Sequence, residues 1–205
     1  RGVYWFEGPG YGKRNSLGAE GDLPEFYWNA DTDMACLKET IGQVLENGHN
    51  HHIPRLMVMG NFALLAGVHP RAITDWYLGM FVDGVDWVTT PNTLGMVMHA
   101  DGRDDLGKGV TGVVGTKPYA ASGQYIKRMS NYCTNCRYDP GKKTGDDACP
   151  FSVLYWDFLI RNQDRFKDNQ RMAMILKNVD RMKAEQRTEL TKEGKRIRKK
   201  LGITA

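Results

Sequence analysis

The chain has 205 residues, of which 41% are hydrophobic and 25% are charged, and its formal net charge is +4. These values lie near the averages of soluble globular proteins and exclude a collagen, a disordered chain and a disulfide-dense miniprotein. No uninterrupted apolar run approaches the roughly 18 residues that a membrane-spanning helix needs, so we expect no membrane partner. The length suffices for one domain, or at most two, with a substantial core.

The chain opens on Arg1 and the sequence RGVYWFEGPGYGKRN, not on Met. This opening has no charged segment followed by an apolar segment, so it does not resemble a targeting signal. We interpret the chain as a fragment, the C-terminal part of a longer protein.

Hydrophobic periodicity predicts helices along most of the chain, while β-branched alternation is scarce, so the predicted fold is all-α. After an irregular stretch over residues 1–30 with one short helix at its start, a helix is predicted from Thr32 to Asn47. Asp31 or Thr32 would be its N-cap and Gly48 the residue after its last turn. Further helices are predicted from Pro54, from Pro70 and over residues 117–130, 153–162 and 180–201. Turns and loops are predicted over residues 89–95 (TTPNTLG), 99–116 and 131–150.

Basic residues concentrate near the end of the chain. From Arg161 to Lys200 there are 14 Lys and Arg against 6 Asp and Glu, and the run ends in EGKRIRKK. Such a segment could attract phosphate groups or form an amphipathic helix whose charges lie in water. The position at one end of the chain favours the second interpretation.

Three of the four cysteines form a C-x2-C-x12-C pattern, Cys133, Cys136 and Cys149, and Cys36 lies far upstream. Two thiolates three residues apart can bind one metal centre, and a third can return to it through a loop. Cys36 would complete a set of four, which suits structural zinc or an iron–sulfur cluster. The alternative is a redox pair with two unrelated buried cysteines, whereas disulfides do not suit this composition.

Histidines and aromatic residues supply further candidates. His49, His51 and His52 lie within four positions, which indicates a metal or acid–base site or, alternatively, a helix cap with an exposed ring. Trp28, Trp76 and Tyr77 are candidates for redox-active rings, although aromatic residues more often fill cores.

Several stretches together form a recognisable pattern: RGVYW, LPEFYW, TDMACL, HHIPRLMVMGNFALL, DWYLGMFVDGVDWV, PNTLGM, TKPYAASGQYI, RMSNYCTNCRYDP and DACPFSVLYWDFL. The pattern resembles the deoxyribodipyrimidine photolyase-related proteins, which are the iron–sulfur bacterial cryptochromes and (6-4) photolyases. The resemblance extends over nearly the whole chain and includes all four cysteines with their flanking residues.

The resemblance implies that residues 1–205 are part of a helical FAD-binding catalytic domain, with residues 180–201 as a basic C-terminal helix. An upstream Rossmann-like domain with a ribolumazine-type antenna, and the start of the helical domain, would be absent. FAD would bind in a U shape. A [4Fe-4S] cluster would be bound by Cys36, Cys133, Cys136 and Cys149.

The implied activity is light-driven repair of (6-4) pyrimidine photoproducts in UV-damaged DNA. Excited reduced flavin would supply an electron and a histidine a proton. The implied protein is a monomer in the bacterial cytoplasm, and this isolated chain is expected to be inactive. The implied site residues are His51, His52 and Tyr119 for catalysis, Trp28, Trp76 and Tyr77 for electron relay, and Arg55, Asp83 and Asn92 for flavin contacts.

Two stretches depart from the family pattern: WNADTD, and HADGRDDLGKGVTGVVGTKPY, a longer loop before Tyr119. They bear on substrate preference more than on the cofactors. One alternative is a cryptochrome that signals without repair. A second is a four-cysteine zinc module that binds nucleic acid.

Overall fold

The computed structural model describes residues 1–103 and 110–203. The predicted all-α class is confirmed, since helices dominate and the described residues contain only one small sheet. The α-helices are α1 Gly2–Glu7, α2 Phe26–Asn29, α3 Ala35–Asn47, α4 His52–Pro54, α5 Asn61–Ala66, α6 Pro70–Met80, α7 Asp86–Pro91, α8 Gly123–Met129, α9 Pro150–Arg161, α10 Gln163–Phe166, α11 Ala173–Asp180 and α12 Ala184–Lys200. The described part of the chain has no helix both long and apolar enough to cross a membrane.

Helix α3 follows the prediction at its end but not at its start. Gly48 adopts a left-handed conformation, with φ of 61°, and its N–H donates to the Val44 carbonyl at 2.8 Å, as expected of a residue that ends a helix. The prediction of an N-cap at Asp31 or Thr32 was wrong. The Thr32 hydroxyl instead accepts the N–H of Met34 at 3.2 Å, which forms a turn before the helix begins at Ala35.

The helix predicted from Pro54 begins two residues earlier, because the His51 side chain caps it. Its Nδ1 accepts the N–H of Ile53 at 3.3 Å, which satisfies one of the free amides of a first turn. From α4 the chain continues through a π-helical segment, Arg55–Gly60, into α5 and ends at Gly67 in a left-handed conformation. A π-helical segment inside a helix is rare and often lies at a functional site.

The turn predicted over residues 89–95 was wrong. These residues belong to α7 and to a second π-helical segment, Asn92–Val97. Pro91 lies at the end of α7, and the wider turns that follow accommodate a residue that has no N–H to donate. The Thr90 hydroxyl donates to the Asp86 carboxylate, four residues earlier in α7, at 2.5 Å.

Only the second half of the helix predicted over residues 117–130 forms, as α8. The preceding stretch is held extended, because Asn61 binds the main chain of Ala121 twice. Its Nδ2 donates to the Ala121 carbonyl at 2.8 Å, and its Oδ1 accepts the Ala121 N–H at 3.0 Å. A contact across 60 residues therefore overrides the local helical preference.

The predicted loop over residues 99–116 contains a short hairpin. Strands β1 Gly102–Arg103 and β2 Thr111–Gly112 are antiparallel, with Gly102 opposite Gly112. Residues 104–109, which belong to the longer loop noted in the sequence, lie outside the described residues.

The two π-helical segments pack directly against each other at Gly60. A Cβ atom on Gly60 would lie 2.3 Å from a methyl group of Val97 and 2.8 Å from the Arg55 carbonyl oxygen. Both distances are too short for a carbon atom, so the glycine permits the close approach.

We predict that Gly60→Ala lowers the free energy of unfolding by about 1–3 kcal/mol, as overpacking of a core does. Gly42→Ala is the matched control, because a Cβ there meets nothing within 4 Å in the interior of α3. The control should raise stability by about 0.5–1 kcal/mol through helix propensity. Chemical denaturation measures both changes, and equal stabilities of the two variants would contradict the packing argument.

Candidate functional site: a histidine–arginine cavity and a four-cysteine cavity

One cavity of about 370 Å³ gathers six of the site residues that the sequence singled out. It lies where the turn before α4, both π-helical segments and α6 meet. Its volume is within the range of small-molecule sites. The residues predicted for the site that line it are His51, His52, Arg55, Tyr77, Asp83 and Asn92.

Arg55, at the start of the first π-helical segment, organises this cavity. Its two terminal nitrogens donate to the two oxygens of Asp83, each at 3.0 Å, and its Nε donates to the Asn50 carbonyl at 2.7 Å. The guanidinium also lies 4.0 Å from the centre of the Phe81 ring. Such a two-pronged pair fixes both partners in orientation as well as in position.

The sequence suggested separate flavin contacts for Arg55 and Asp83, whereas the structure pairs them with each other. The hydrogen bonds from Arg55, and then the Arg55 and His49 charges, hold the pKa of the Asp83 carboxyl below its ordinary value. A lowered pKa means that the pair stabilises the fold above the ordinary Asp pKa and that this contribution is lost as the pH falls through the lowered one.

The histidines lie at the rim of the cavity and are exposed. Because Nδ1 of His51 accepts the Ile53 N–H, the neutral His51 ring carries its proton on Nε2. His51 is thus a helix cap with an exposed ring, which is one of the two interpretations that the sequence left open, and it also lines the cavity. His49 also lines the cavity, and its Nε2 lies 3.9 Å from Asp83.

Aromatic rings lead away from the cavity into the core. The Tyr77 ring is centred 5.3 Å from that of Trp76, which is 5.2 Å from Tyr27. Both Trp76 and Tyr77 are buried, whereas Trp28 is 57% exposed beside Tyr27 in the chain. Sequence reasoning missed Tyr27, although its place between Phe26 and Trp28 marked it as part of an aromatic cluster.

The proton donors of these buried rings are all bound to main-chain carbonyls. The Tyr77 hydroxyl donates to the Arg55 carbonyl at 2.6 Å, and the Trp76 indole N–H donates to the Tyr27 carbonyl at 3.0 Å. The Tyr27 hydroxyl donates to the Met59 carbonyl at 2.7 Å. The two tyrosine bonds fix their rings against the first π-helical segment, and the Trp76 bond fixes the indole against α2.

Tyr119, the other predicted catalytic residue, does not line this cavity. It lies in the irregular stretch before α8 and is 43% exposed. Its ring is close to Gly115, where a Cβ would lie 3.6 Å from the ring edge. Its predicted role stays a prediction.

The four cysteines line a second, smaller cavity. Cys36 extends from α3, Cys133 from a 3₁₀ turn (Tyr132–Asn135), and Cys149 is the residue before α9. None of the four forms a disulfide. The structure therefore brings the early sulfur together with the late three, while their role as ligands stays a prediction.

The cysteine loop is tied down by its main chain. The Asp139 N–H donates to the Asp147 carbonyl at 2.7 Å, and the Cys149 N–H donates to the Asp139 carbonyl at 3.1 Å. Gly123 of α8 closes the cavity, since a Cβ there would lie 2.7 Å from the Cys149 sulfur. The twelve residues between Cys136 and Cys149 thus form a loop that returns the chain to the cysteine cavity.

Burial raises the pKa of the Cys36 thiol and raises that of Cys149 to about 11. Four thiols that face one cavity suit a thiophilic metal centre, which would bind them as thiolates. Among the described residues, no three His, Cys, Asp or Glu side chains are arranged to hold a metal ion. The four thiols line one cavity, and their role as ligands of a metal centre stays a prediction.

Comparisons with known proteins agree with the pattern of the sequence. No family model matches the chain. The chain is 47% identical over 201 residues to a (6-4) photolyase of Agrobacterium fabrum, which covers 98% of this chain and 38% of that protein. It is 30% identical over 130 residues to an uncharacterized protein of Acanthamoeba polyphaga mimivirus, which covers 63% of this chain and 89% of the viral protein. Nearly half of the residues are identical to those of the bacterial enzyme, over almost the whole length of this chain. The chain therefore belongs to the family of photolyase-related proteins that includes the (6-4) photolyases.

Proposed function

We propose that the protein takes part in light-driven, FAD-dependent repair of (6-4) pyrimidine photoproducts in UV-damaged DNA. The observation that carries the proposal is the cavity in which His51 and His52 lie beside the Arg55–Asp83 pair and Tyr77. The relative that shares 47% of the residues is a (6-4) photolyase, and the chain spans 38% of its length. The activity proposed is that of the whole protein.

The flavin ring system would be held by the cavity wall that Arg55, Asp83 and Asn92 form. The bound and reduced flavin supplies the light-driven electron for the reaction. The pair of Arg55 and Asp83 keeps a fixed charge distribution at the wall, and a preorganised arrangement of this kind costs no reorganisation when charge moves. Phe81 supports the guanidinium from one face.

His51 and His52 would donate a proton to the lesion, which must be flipped out of the duplex to reach them. An exposed position at the rim suits that task, because DNA approaches from solvent and a damaged pair is cheaper to open. A protonated histidine ring can give up a proton near neutral pH, since the ordinary pKa of histidine is about 6.5. In His51 this form requires that Nδ1 release the Ile53 N–H that it accepts in the neutral form. Tyr119 would contact the lesion from the neighbouring loop.

Tyr77, Trp76 and Trp28 would relay electrons from an external reductant to the flavin. The support is the series of ring contacts that begins at the cavity and the exposure of Trp28. Burial raises the pKa of Tyr77, and its hydroxyl is bound to a carbonyl, which is too weak a base to take the proton. Tyr77 would therefore pass an electron without losing its hydroxyl proton.

The four cysteines would bind a [4Fe-4S] cluster with a structural role. The cluster would join α3, the cysteine loop and the start of α9, each of which places a cysteine at the cavity. The alternative, a structural zinc ion, would need the same four thiolates arranged tetrahedrally around one point.

We predict that His51→Ala or His52→Ala reduces lesion repair by a factor of about 10²–10⁴, the usual contribution of a general acid, while flavin stays bound. His69→Ala is the matched control: His69 also caps a helix, with Nδ1 accepting the Arg71 N–H at 3.1 Å, and it lies outside the cavity. Repair is measured on DNA with a defined (6-4) lesion under illumination. Normal repair in both single variants would reject the role, and loss of repair in the control would point to helix capping alone.

We predict that Cys36→Ser and Cys133→Ser each lower the iron content and the broad visible absorption of the anaerobically purified protein. Met34→Leu changes the same cavity wall without removing a sulfur ligand of the proposed set and should keep the iron. Metal analysis with absorption spectroscopy makes the comparison. One zinc and no iron in the unaltered protein would contradict the cluster and favour the zinc module.

We predict that Tyr77→Phe slows flavin photoreduction, because the ring contacts remain but phenylalanine is much harder to oxidise than tyrosine and cannot pass the electron on. Trp76→Phe should slow photoreduction strongly, because a ring that is easily oxidised is replaced by one that is not. Transient absorption spectroscopy follows both variants. A neutral tyrosyl radical in the unaltered protein would refute the proposed retention of the proton.

A further inference from the structure

The basic C-terminal helix α12 plays no part in the histidine–arginine cavity, yet its last turns do not simply extend into water. Lys195, Arg198 and Lys199 line a cavity of about 480 Å³, larger than the one at the histidines. Arg161 at the end of α9 faces the same space. Four cations from two helices thus surround one cavity, which we call the basic cavity.

Two of these cations share a single carboxylate. Asp157 is fully buried, and its Oδ2 accepts from the Arg161 Nε at 2.9 Å and also from Nη1 of Arg198. The second oxygen, Oδ1, has no hydrogen-bond partner among the described residues. One carboxylate neutralises one guanidinium, so a positive charge remains at the cavity wall, and an uncompensated charge in a partly buried place favours an anion.

The remaining two cations add to this charge. Lys195 and Lys199 are four residues apart, so they lie on the same face of α12. Among the described residues, neither has an acidic side chain within ion-pair distance. The acidic residue that lines the cavity is Glu20, whose carboxylate accepts from Asn15 Nδ2 at 3.0 Å.

A close approach of α12 to α9 produces this arrangement. A Cβ on Gly194 would lie 2.4 Å from Cγ of Asp157, so a larger residue would separate the helices and withdraw Arg198 from the carboxylate. Arg161 is held from the other side, because its Nη2 donates to the Leu65 carbonyl at 2.9 Å. The guanidinium groups are therefore fixed before any ligand arrives.

The floor of the basic cavity is apolar. It consists of side chains from four separate parts of the chain: Leu64, Met98, Phe158 and Ile203. A cationic rim over an apolar floor matches a molecule with an anionic group on an apolar body. Arginine forks and lysines are the usual partners of phosphate oxygens in proteins.

We propose that the basic cavity binds the phosphate group of a nucleotide, whose less polar part packs on the floor. The phosphate can come from a free nucleoside monophosphate or from the backbone of a nucleic acid, since both present the same oxygens. The site is independent of the proposed repair function and of the cavity that carries it. It takes up the first of the two interpretations of the basic segment, the attraction of phosphate groups.

The test compares two double variants that remove the same charge. Lys195→Gln with Lys199→Gln removes two cations of the basic cavity, and Lys183→Gln with Lys192→Gln removes two lysines that do not line it. All four side chains are exposed, so folding should be unaffected. The probes are AMP, inorganic phosphate and a short single-stranded DNA, titrated by calorimetry at low ionic strength.

We expect AMP to bind the unaltered protein saturably and more tightly than inorganic phosphate. The cavity variant should bind AMP about tenfold more weakly, and the control should match the unaltered protein. Displacement of AMP by the DNA would identify the nucleic acid as the source of the phosphate, and binding of AMP without displacement would identify the free nucleotide. Absence of saturable binding by all three probes, or equal weakening in both variants, would overturn the proposal.

Discussion

Arg55 is the residue on which the geometry of the histidine–arginine cavity depends. Its side chain binds the Asp83 carboxylate and the Asn50 carbonyl, and its main-chain carbonyl accepts the Tyr77 hydroxyl. Exposed ion pairs contribute little, typically about 0–1 kcal/mol. The Arg55 side chain is 23% exposed and that of Asp83 is 51% exposed, so the importance of Arg55 lies in position, because each of its bonds meets a different part of the chain. It therefore joins the turn before α4, the turn after α6 and α6 itself around one space.

Two π-helical segments form facing parts of the cavity wall. Each segment contributes residues to the lining, Arg55 from the first and Asn92 from the second. A π turn has more residues than an α turn and changes which side chains share a face, at some cost in hydrogen-bond geometry. The glycine at the contact, Gly60, lets the two segments approach closely. Local structure that is unfavourable by itself is thus stabilised by the packing of the segments.

The aromatic core lies between the histidine–arginine cavity and the cysteine cavity. Phe26 stacks on Tyr27 with centres 5.0 Å apart, and Phe62 contacts both Phe26 and Phe151 at 5.4 and 5.3 Å. Phe151 also lines the cysteine cavity. Rings packed edge to face resist deformation, because protein interiors are close-packed. A metal centre at the cysteines would therefore stabilise the same core that positions Tyr77.

The sequence predicts most clearly those features that a local signal determines. Gly48 ends α3 because the left-handed conformation needs glycine, and the spacing of Cys133, Cys136 and Cys149 corresponds to a closed loop. Distant contacts could not be predicted in this way. Asn61 keeps the chain at Ala121 extended from sixty residues away, and turn-forming residues around Pro91 enter a helix because packing favours it. The pairing of Arg55 with Asp83 across 28 residues likewise needed the fold.

The most direct measurement of the account is the flavin affinity of Arg55→Gln, Asp83→Asn and the double variant, each compared with the unaltered protein. If the pair forms the wall that holds the flavin, each single substitution should lower the flavin affinity. The double variant should bind flavin no less tightly than the weaker-binding single variant, because the effects of two coupled residues are not additive. Unchanged affinity in all three variants would show that the flavin binds elsewhere and would contradict the account.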